Sequence, residues 1–231
     1  VERYVTDKLR LVRNDGGTAA RILVPASGGR IDEVLAGMGL AAEVVTPPAG
    51  PASVPTHRLQ NAALAAAVVA ALGAPRLTDD QVIEAARSSL PGRLDACPGP
   101  NGLLCLDDAL ASNPSAVAAG LAWVRSLGRP TVVLLGGSDR GVDPAPLVDE
   151  VARWTPGRLR AVVLPDSGAD LAARIGVDVV AVAPDVAAAV RSALSASAAD
   201  GIVLFSPGAP TPGAVGTWKT RSDQFRSALL G

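Results

Sequence analysis

Cysteine, histidine, lysine and any excess of charge are scarce in this chain of 231 residues. Two cysteines, Cys97 and Cys105, cannot build a disulfide framework, and with the single His57 they fall short of a structural zinc set. The net charge is −1 and the pI about 5.9, so the broad basic surface of a nucleic-acid binder is missing. Only two of the 21 basic residues are lysines, Lys8 and Lys219. That arginine bias, with many alanines and valines, reads as the mark of a GC-rich genome rather than of a binding surface. The longest apolar stretch, Asn61–Gly73, is shorter than the ~20 residues that a spanning helix needs. Val1–Arg13 carries scattered charge and no apolar signal core, so the expected location is the cytoplasm. What is abundant is apolar material: 48% of residues against 19% charged, which supports a sizeable core and excludes global disorder. The length is that of one large domain or two small ones, at ~100–200 residues each.

Along the chain, apolar runs at Arg21–Pro25 and Ala42–Thr46 flank a helically spaced segment, Ile31–Leu40, which reads as strand–helix–strand. Pro47–Pro55 reads as a linker. A helix is expected over Leu59–Leu72, stopped by Gly73, and another opens at Thr78 with a capping box to Gln81. Beyond Cys97 short apolar runs alternate with helical segments. Strands are expected at Leu103–Leu106, Thr131–Leu135, Arg160–Leu164, Val179–Val182 and Gly201–Phe205. Helices are expected at Pro114–Leu127, Pro144–Trp154, Gly168–Ile175, Asp185–Ala196 and Thr217–Leu229. That alternation of near-continuous apolar strands with helices predicts an α/β fold with a doubly wound, mostly parallel sheet.

In such a sheet, ligands gather at the carboxyl ends of the strands. Those ends carry Asp107-Asp108, Gly136-Gly137-Ser138-Asp139-Arg140, Pro165-Asp166-Ser167-Gly168 and Ser206-Pro207-Gly208-Ala209. Taken singly, such residues are also what tight turns and helix caps require.

Six segments, taken in order, are similar to motifs of the Mur ligases. Leu90-Pro91-Gly92-Arg93-Leu94-Asp95 resembles P-G/H-R-x-E, and Asp107-Asp108-Ala109-Leu110-Ala111-Ser112-Asn113-Pro114 resembles D-D-S-K-A-T-N-P. Leu134–Gly141 resembles the strand that ends in G-G-x-x-K, and Leu204–Thr211 resembles L-L-S-P-A-x-A-S. Trp218–Phe225 resembles F-x-x-R-G-x-x-F, and His57-Arg58-Leu59-Gln60-Asn61 resembles H-N-x-x-N. Order and spacing resemble the D-glutamate-adding branch of that family, from about His57 to the end.

The resemblance implies a complete Rossmann-like C-terminal domain over 96–231, preceded by a smaller α/β remnant of a central ATPase domain over 1–95. It implies ATP and Mg²⁺ as cofactors, an amino acid and a UDP-sugar peptide as substrates, and a role in bacterial peptidoglycan synthesis. The phosphate-cradling G-x-x-G-K-[ST] loop of such an ATPase is not in this chain. Ser27-Gly28-Gly29-Arg30 is the nearest Gly-rich turn, without the Lys-Ser/Thr pair. The chain is therefore expected to be part of a longer ligase, or to work with an ATPase partner.

Carried over by position, Arg93 and Asp108 would meet the nucleotide ribose, and Ser112, Arg140, Ser206, Thr211 and Trp218 the incoming amino acid. Cations and hydroxyls are what an amino acid's carboxylates need. The resemblance supplies no metal ligand here. Arg140 replaces a lysine, so it offers a fork where the family has a point charge. Leu110 stands where the family has lysine, Arg58 where it has asparagine, and Ser222 where it has glycine. Those exchanges leave a second reading, a degenerate binding or scaffold domain without ATPase function. A third, a generic Rossmann-like nucleotide-binding module, lacks a G-x-G-x-x-G after any strand.

Overall fold

The computed structural model describes residues 21–26 and 30–230. The Ser27-Gly28-Gly29 turn and Val1–Arg13 lie outside the described residues. The chain divides into two compact units, the first ending at Ser88 and the second beginning at Ser89.

In the first unit, β1 (Leu23–Pro25), α1 (Arg30–Gly37) and β2 (Glu43–Val45) form a parallel strand–helix–strand unit, with Val24 and Leu35 as its small core. Two helices follow, α2 (Thr56–Ala71) and α3 (Asp79–Arg87). They pack through Leu59, Ala86 and Val54. Helix α3 opens on the capping box read from sequence: Thr78 accepts from the Gln81 N–H while the Gln81 side chain accepts from the Thr78 N–H. Helix α2 starts three residues earlier than expected, inside the first turn of which lie His57 and Arg58.

The second unit holds a six-stranded sheet: β3 (Asp95–Pro98), β4 (Leu104–Asp107), β5 (Thr131–Leu135), β6 (Leu159–Val163), β7 (Asp178–Val182) and β8 (Ile202–Phe205). Its order is β3-β4-β8-β5-β6-β7, parallel except for the antiparallel β3–β4 pair. Five helices accompany it: α4 (Pro114–Ser126), α5 (Ala145–Val151), α6 (Gly168–Ile175), α7 (Val186–Ala196) and α8 (Trp218–Leu229).

Alternation along the strands sorts the core into two layers. Val133, Leu135, Ala161, Val163, Ile202 and Leu204 pack with α4, α5 and α6. Val132, Leu134, Val162, Val203 and Phe205 pack with α7 and α8. A sheet covered on both faces needs apolar residues at every position, which explains the unbroken runs that mark these strands in the sequence. Strand β3 was not expected. It is four residues long, carries Asp95 and Pro98, and lies at an edge where a missing N–H is tolerated.

Among the described residues no helix is long and apolar enough to cross a membrane.

Candidate functional site

Four strands, β4, β8, β5 and β6, run parallel, so their carboxyl ends share one rim. The loops leaving them are tied to one another through backbone. Gly136 N–H donates to Pro207 O (2.8 Å), Ser138 N–H to Pro210 O (2.9 Å), Ser167 N–H to Gly137 O (3.1 Å) and Gly208 N–H to Ala111 O (2.8 Å). This lacing explains Gly136-Gly137. Both have positive φ, and a Cβ would lie 2.7 Å from Leu164 O at position 136 and 2.4 Å from Pro210 O at position 137.

The two consecutive aspartates after β4 diverge. Asp107 is fully buried and turns toward α8. It accepts from the Ala109 N–H, the Ser222 hydroxyl and Arg226 Nε (2.8 Å), while Arg226 Nη2 reaches Asp95 (2.6 Å). Ser222 is thus a hydrogen-bond partner of Asp107. Asp108 turns the other way, against Gly120 of α4. One of its oxygens accepts from the Leu94 N–H (3.2 Å) and the other from the Ser206 hydroxyl (2.8 Å). Burial pushes this carboxyl up to about 7, against the pull of those two hydrogen bonds and of nearby Arg93.

A cleft opens on the α4/α6 side of the rim. Ser112, Ser138, Asp139, Arg140, Ser167, Asp170 and Arg174 contribute its polar wall. Ser112 precedes the Asn113 cap of α4, whose side chain accepts from the Ala116 N–H (2.9 Å). Ser167 stands at the N-cap of α6, and its Oγ is buried without a hydrogen-bond partner. Arg140, Asp170 and Arg174 are exposed. No ion pair within 4.0 Å joins any of the three to another described residue.

A second cavity of about 130 Å³ lies on the α7/α8 side, walled by Gly137, Leu164, Val186, Val215 and Arg221. Arg221 is 3% exposed. It donates from Nη2 to Gly136 O (2.7 Å) and lies over the Phe205 ring, and burial lowers its guanidinium to about 10. It anchors the loop that leads to Arg140.

The structure thus brings two of the expected amino-acid contacts, Ser112 and Arg140, into one cleft. Ser206 is fully buried on Asp108 rather than in that cleft. Thr211 is half-buried between Pro210 of the cleft and Pro212 of the second cavity. Trp218 is half-buried, with its ring over Gly92, where an added Cβ would lie 2.9 Å from it. Leu110 packs at the same spot, its N–H donating to Gly92 O (3.0 Å). Arg93 is exposed on the turn that places Leu94 against Asp108. Sequence reasoning placed Ser138, Asp139 and Ser167 on the rim without a role and missed Asp170 and Arg174. Ser167, Asp170 and Arg174 recur at i, i+3 and i+7, a helical-face signal that a motif search does not read.

A mostly parallel sheet, covered on both faces and open to ligands along its carboxyl rim, is a Rossmann-like domain. Residues 92–208, just over half of the chain, match the family model described as Mur ligase, glutamate ligase domain. The chain belongs to the Mur ligase family.

It is 36% identical over 182 residues to UDP-N-acetylmuramoyl-L-alanine--L-glutamate ligase of Micromonospora sp., covering 75% of this chain and 38% of that protein. It is 31% identical over 253 aligned residues to UDP-N-acetylmuramoylalanine--D-glutamate ligase of Rubrobacter xylanophilus, covering 97% and 54%. The chain therefore spans between about two fifths and just over half of the length of these relatives. Among solved structures, the bifunctional folylpolyglutamate synthase/dihydrofolate synthase of Yersinia pestis is similar with a TM-score of 0.62 at 19% identity, over 98% of this chain and 56% of that one. The MurF ligase of Thermotoga maritima in complex with ADP is similar with a TM-score of 0.53 at 17% identity, over 74% and 38%. At such identities these two structures speak for the fold alone.

Proposed function

We propose that this chain is the C-terminal part of an ATP-dependent ligase that joins a carboxylate to the amine of glutamate, on a UDP-sugar-peptide-like substrate of peptidoglycan synthesis in the bacterial cytoplasm. Residues 1–95 would then be part of the central ATPase domain and 96–231 the domain that brings the amino acid. The observation that carries the reading is Arg140: a guanidinium with no ion pair among the described residues, sharing a cleft with Ser112, at the position where the family presents a cation. Relatives named for L-glutamate and for D-glutamate both match, which supports glutamate and leaves the enantiomer to the test.

Toward ATP, Arg93 and Asp108 are neighbours across one turn, with Arg93 exposed and close enough to Asp108 to act on its charge. Asp108 is 5% exposed with both oxygens already engaged. The buried carboxylate fits the nucleotide better as a brace for the Arg93 turn than as a free acceptor. No group of three or more His, Cys, Asp or Glu side chains that could hold a metal lies among the described residues. Phosphoryl transfer would belong to a segment or partner that carries the missing phosphate loop.

The degenerate-domain reading draws on Leu110, which fills space beside Gly92 instead of offering an ammonium. Two measurements separate the readings. Calorimetric titration of the chain with L- and D-glutamate, repeated on Arg140→Ala, should show affinity for one enantiomer that falls about tenfold or more in the variant. Unchanged affinity would sink the clamp. Reading the coding DNA ahead of Val1 tests the rest: an in-frame G-x-x-G-K-[ST] supports the ligase, and a start codon there transfers the lead to a binding protein.

A further inference from the structure

We infer that the cavity on the α7/α8 side is a second ligand site, built for a short aliphatic monocarboxylate held by the Arg221 guanidinium. It is separate from the Arg140 cleft, and no described residue lines both. Gly137, Leu164, Val186 and Arg221 are buried at its floor, whereas Pro165, Pro184, Val215 and Gln224 are exposed and mark its mouth. Arg221 calls for an anion. Its Nη2 is spent on Gly136 O, but its Nη1 is buried with no hydrogen-bond partner. Nη1 lies 3.0 Å from where a Cβ on Gly137 would stand, beside a wall residue that has no side chain to cover it. No carboxylate among the described residues lies within 4.0 Å of this guanidinium. With burial lowering it to about 10, it still keeps its proton at neutral pH. A buried cation is normally paired, and a buried donor without an acceptor costs stability until a ligand completes it.

The walls define the rest of the ligand. Leu164, Pro165, Pro184, Val186, Pro212 and Val215 present apolar surface. Three of these are prolines, which have no N–H to offer an anion. Besides Arg221, the described lining brings polar side chains at Asp185 and Gln224. The Asp185 carboxylate is turned onto its own helix, where it caps α7 by accepting from the Ala188 N–H (2.7 Å). A phosphate or sulfate needs donors on several sides, which one guanidinium and one amide do not supply. A carboxylate takes its charge-assisted bonds from one side and leaves an aliphatic body for the apolar walls. The volume of about 130 Å³ is slightly below the ~150 Å³ of an apolar cavity that takes benzene, which sets the acid at about six non-hydrogen atoms.

The test is calorimetry on the chain with isobutyrate, which has that size, with isobutyramide, which has its shape without the charge, and with inorganic phosphate. The wild type should bind isobutyrate about tenfold or more tighter than isobutyramide, the usual strength of a charge-assisted contact, and tighter than phosphate. Arg221→Gln keeps an amide for Gly136 O and should abolish the preference for isobutyrate over isobutyramide. Circular dichroism checks that this variant folds. If it does not, Val215→Trp carries the test: the position is exposed in the mouth, and the indole should fill the cavity and weaken isobutyrate about tenfold or more. Arg140→Ala should leave isobutyrate affinity unchanged. No measurable isobutyrate binding, equal affinity for isobutyramide, an unchanged affinity in Val215→Trp, or a loss in Arg140→Ala overturns the site. Phosphate bound as tightly as isobutyrate overturns its assignment to an aliphatic acid.

Discussion

Asp108→Asn should make the larger unit less sensitive to pH, and the size of the effect follows from burial. In an unfolded chain an aspartate titrates near ~3.9. Buried between the Leu94 N–H and the Ser206 hydroxyl, this one titrates at about 7. Between those values the folded state holds a proton that the unfolded state has released. Its contribution is therefore most favourable below pH ~4, declines as the pH rises, and levels off above about 7. The full span is roughly 4 kcal/mol at ~1.4 kcal/mol per unit, of which about 2 to 3 kcal/mol falls between pH ~5 and ~8. Asparagine keeps a carbonyl for Leu94 and can donate its amide to Ser206. It stands in for the protonated acid at every pH. Urea unfolding followed by tryptophan emission reads the right unit, because Trp123, Trp154 and Trp218 all lie beyond Ser89. Relative to the variant, the wild type should lose about 2 to 3 kcal/mol from pH ~5 to pH ~8. Other titrating groups are common to both proteins and cancel. A pH-independent difference, or a wild type that gains on the variant as the pH rises, refutes the burial argument.

Two further outcomes follow from the same region. Arg226→Met should cost about 2 kcal/mol, less than for a fully buried pair, because the Ser222 hydroxyl and Ala109 N–H still hold Asp107. Urea midpoints check this, and adding Asp107→Asn should recover part of the loss. Gly92→Ala puts a Cβ 2.9 Å from the Trp218 ring at a φ of +72°, so it should cost about 1 to 3 kcal/mol and shift tryptophan emission; an unchanged urea midpoint and an unchanged emission maximum would refute this.

Most of the large sheet was legible because double-sided burial leaves a plain mark. Thr131–Leu135 and Gly168–Ile175 begin and end as read, and the other strands and helices of the alternation shift by a few residues at their ends. Strand β3 leaves no such mark, since pairing with β4 lies in register and not in composition. The break between units falls ahead of the Pro91-Gly92-Arg93 turn, so Asp95 joins the sheet that the motif order assigns to the following domain. The site was legible only in part. Motif positions led to Ser112 and Arg140, but which way a side chain turns at a strand end depends on the loops that close over it. Ser206 illustrates this: a hydroxyl in a ligand motif, it is consumed by Asp108. Ser222 and Arg226 hold Asp107 from a helix more than a hundred residues away in sequence, a link that no local pattern records.

The position of β8 bears on biosynthesis. It pairs with β4 on one side and β5 on the other, matching Leu104 and Thr131 to Ile202. During translation the first five strands of the larger unit emerge before the one that joins them. Until Phe205 leaves the ribosome, β3–β4 and β5–β6–β7 are separate pieces, each with a raw inner edge open to foreign strands. The larger unit therefore closes late and at once, and a ribosome that stalls ahead of Ile202 releases an aggregation-prone chain rather than a smaller working domain.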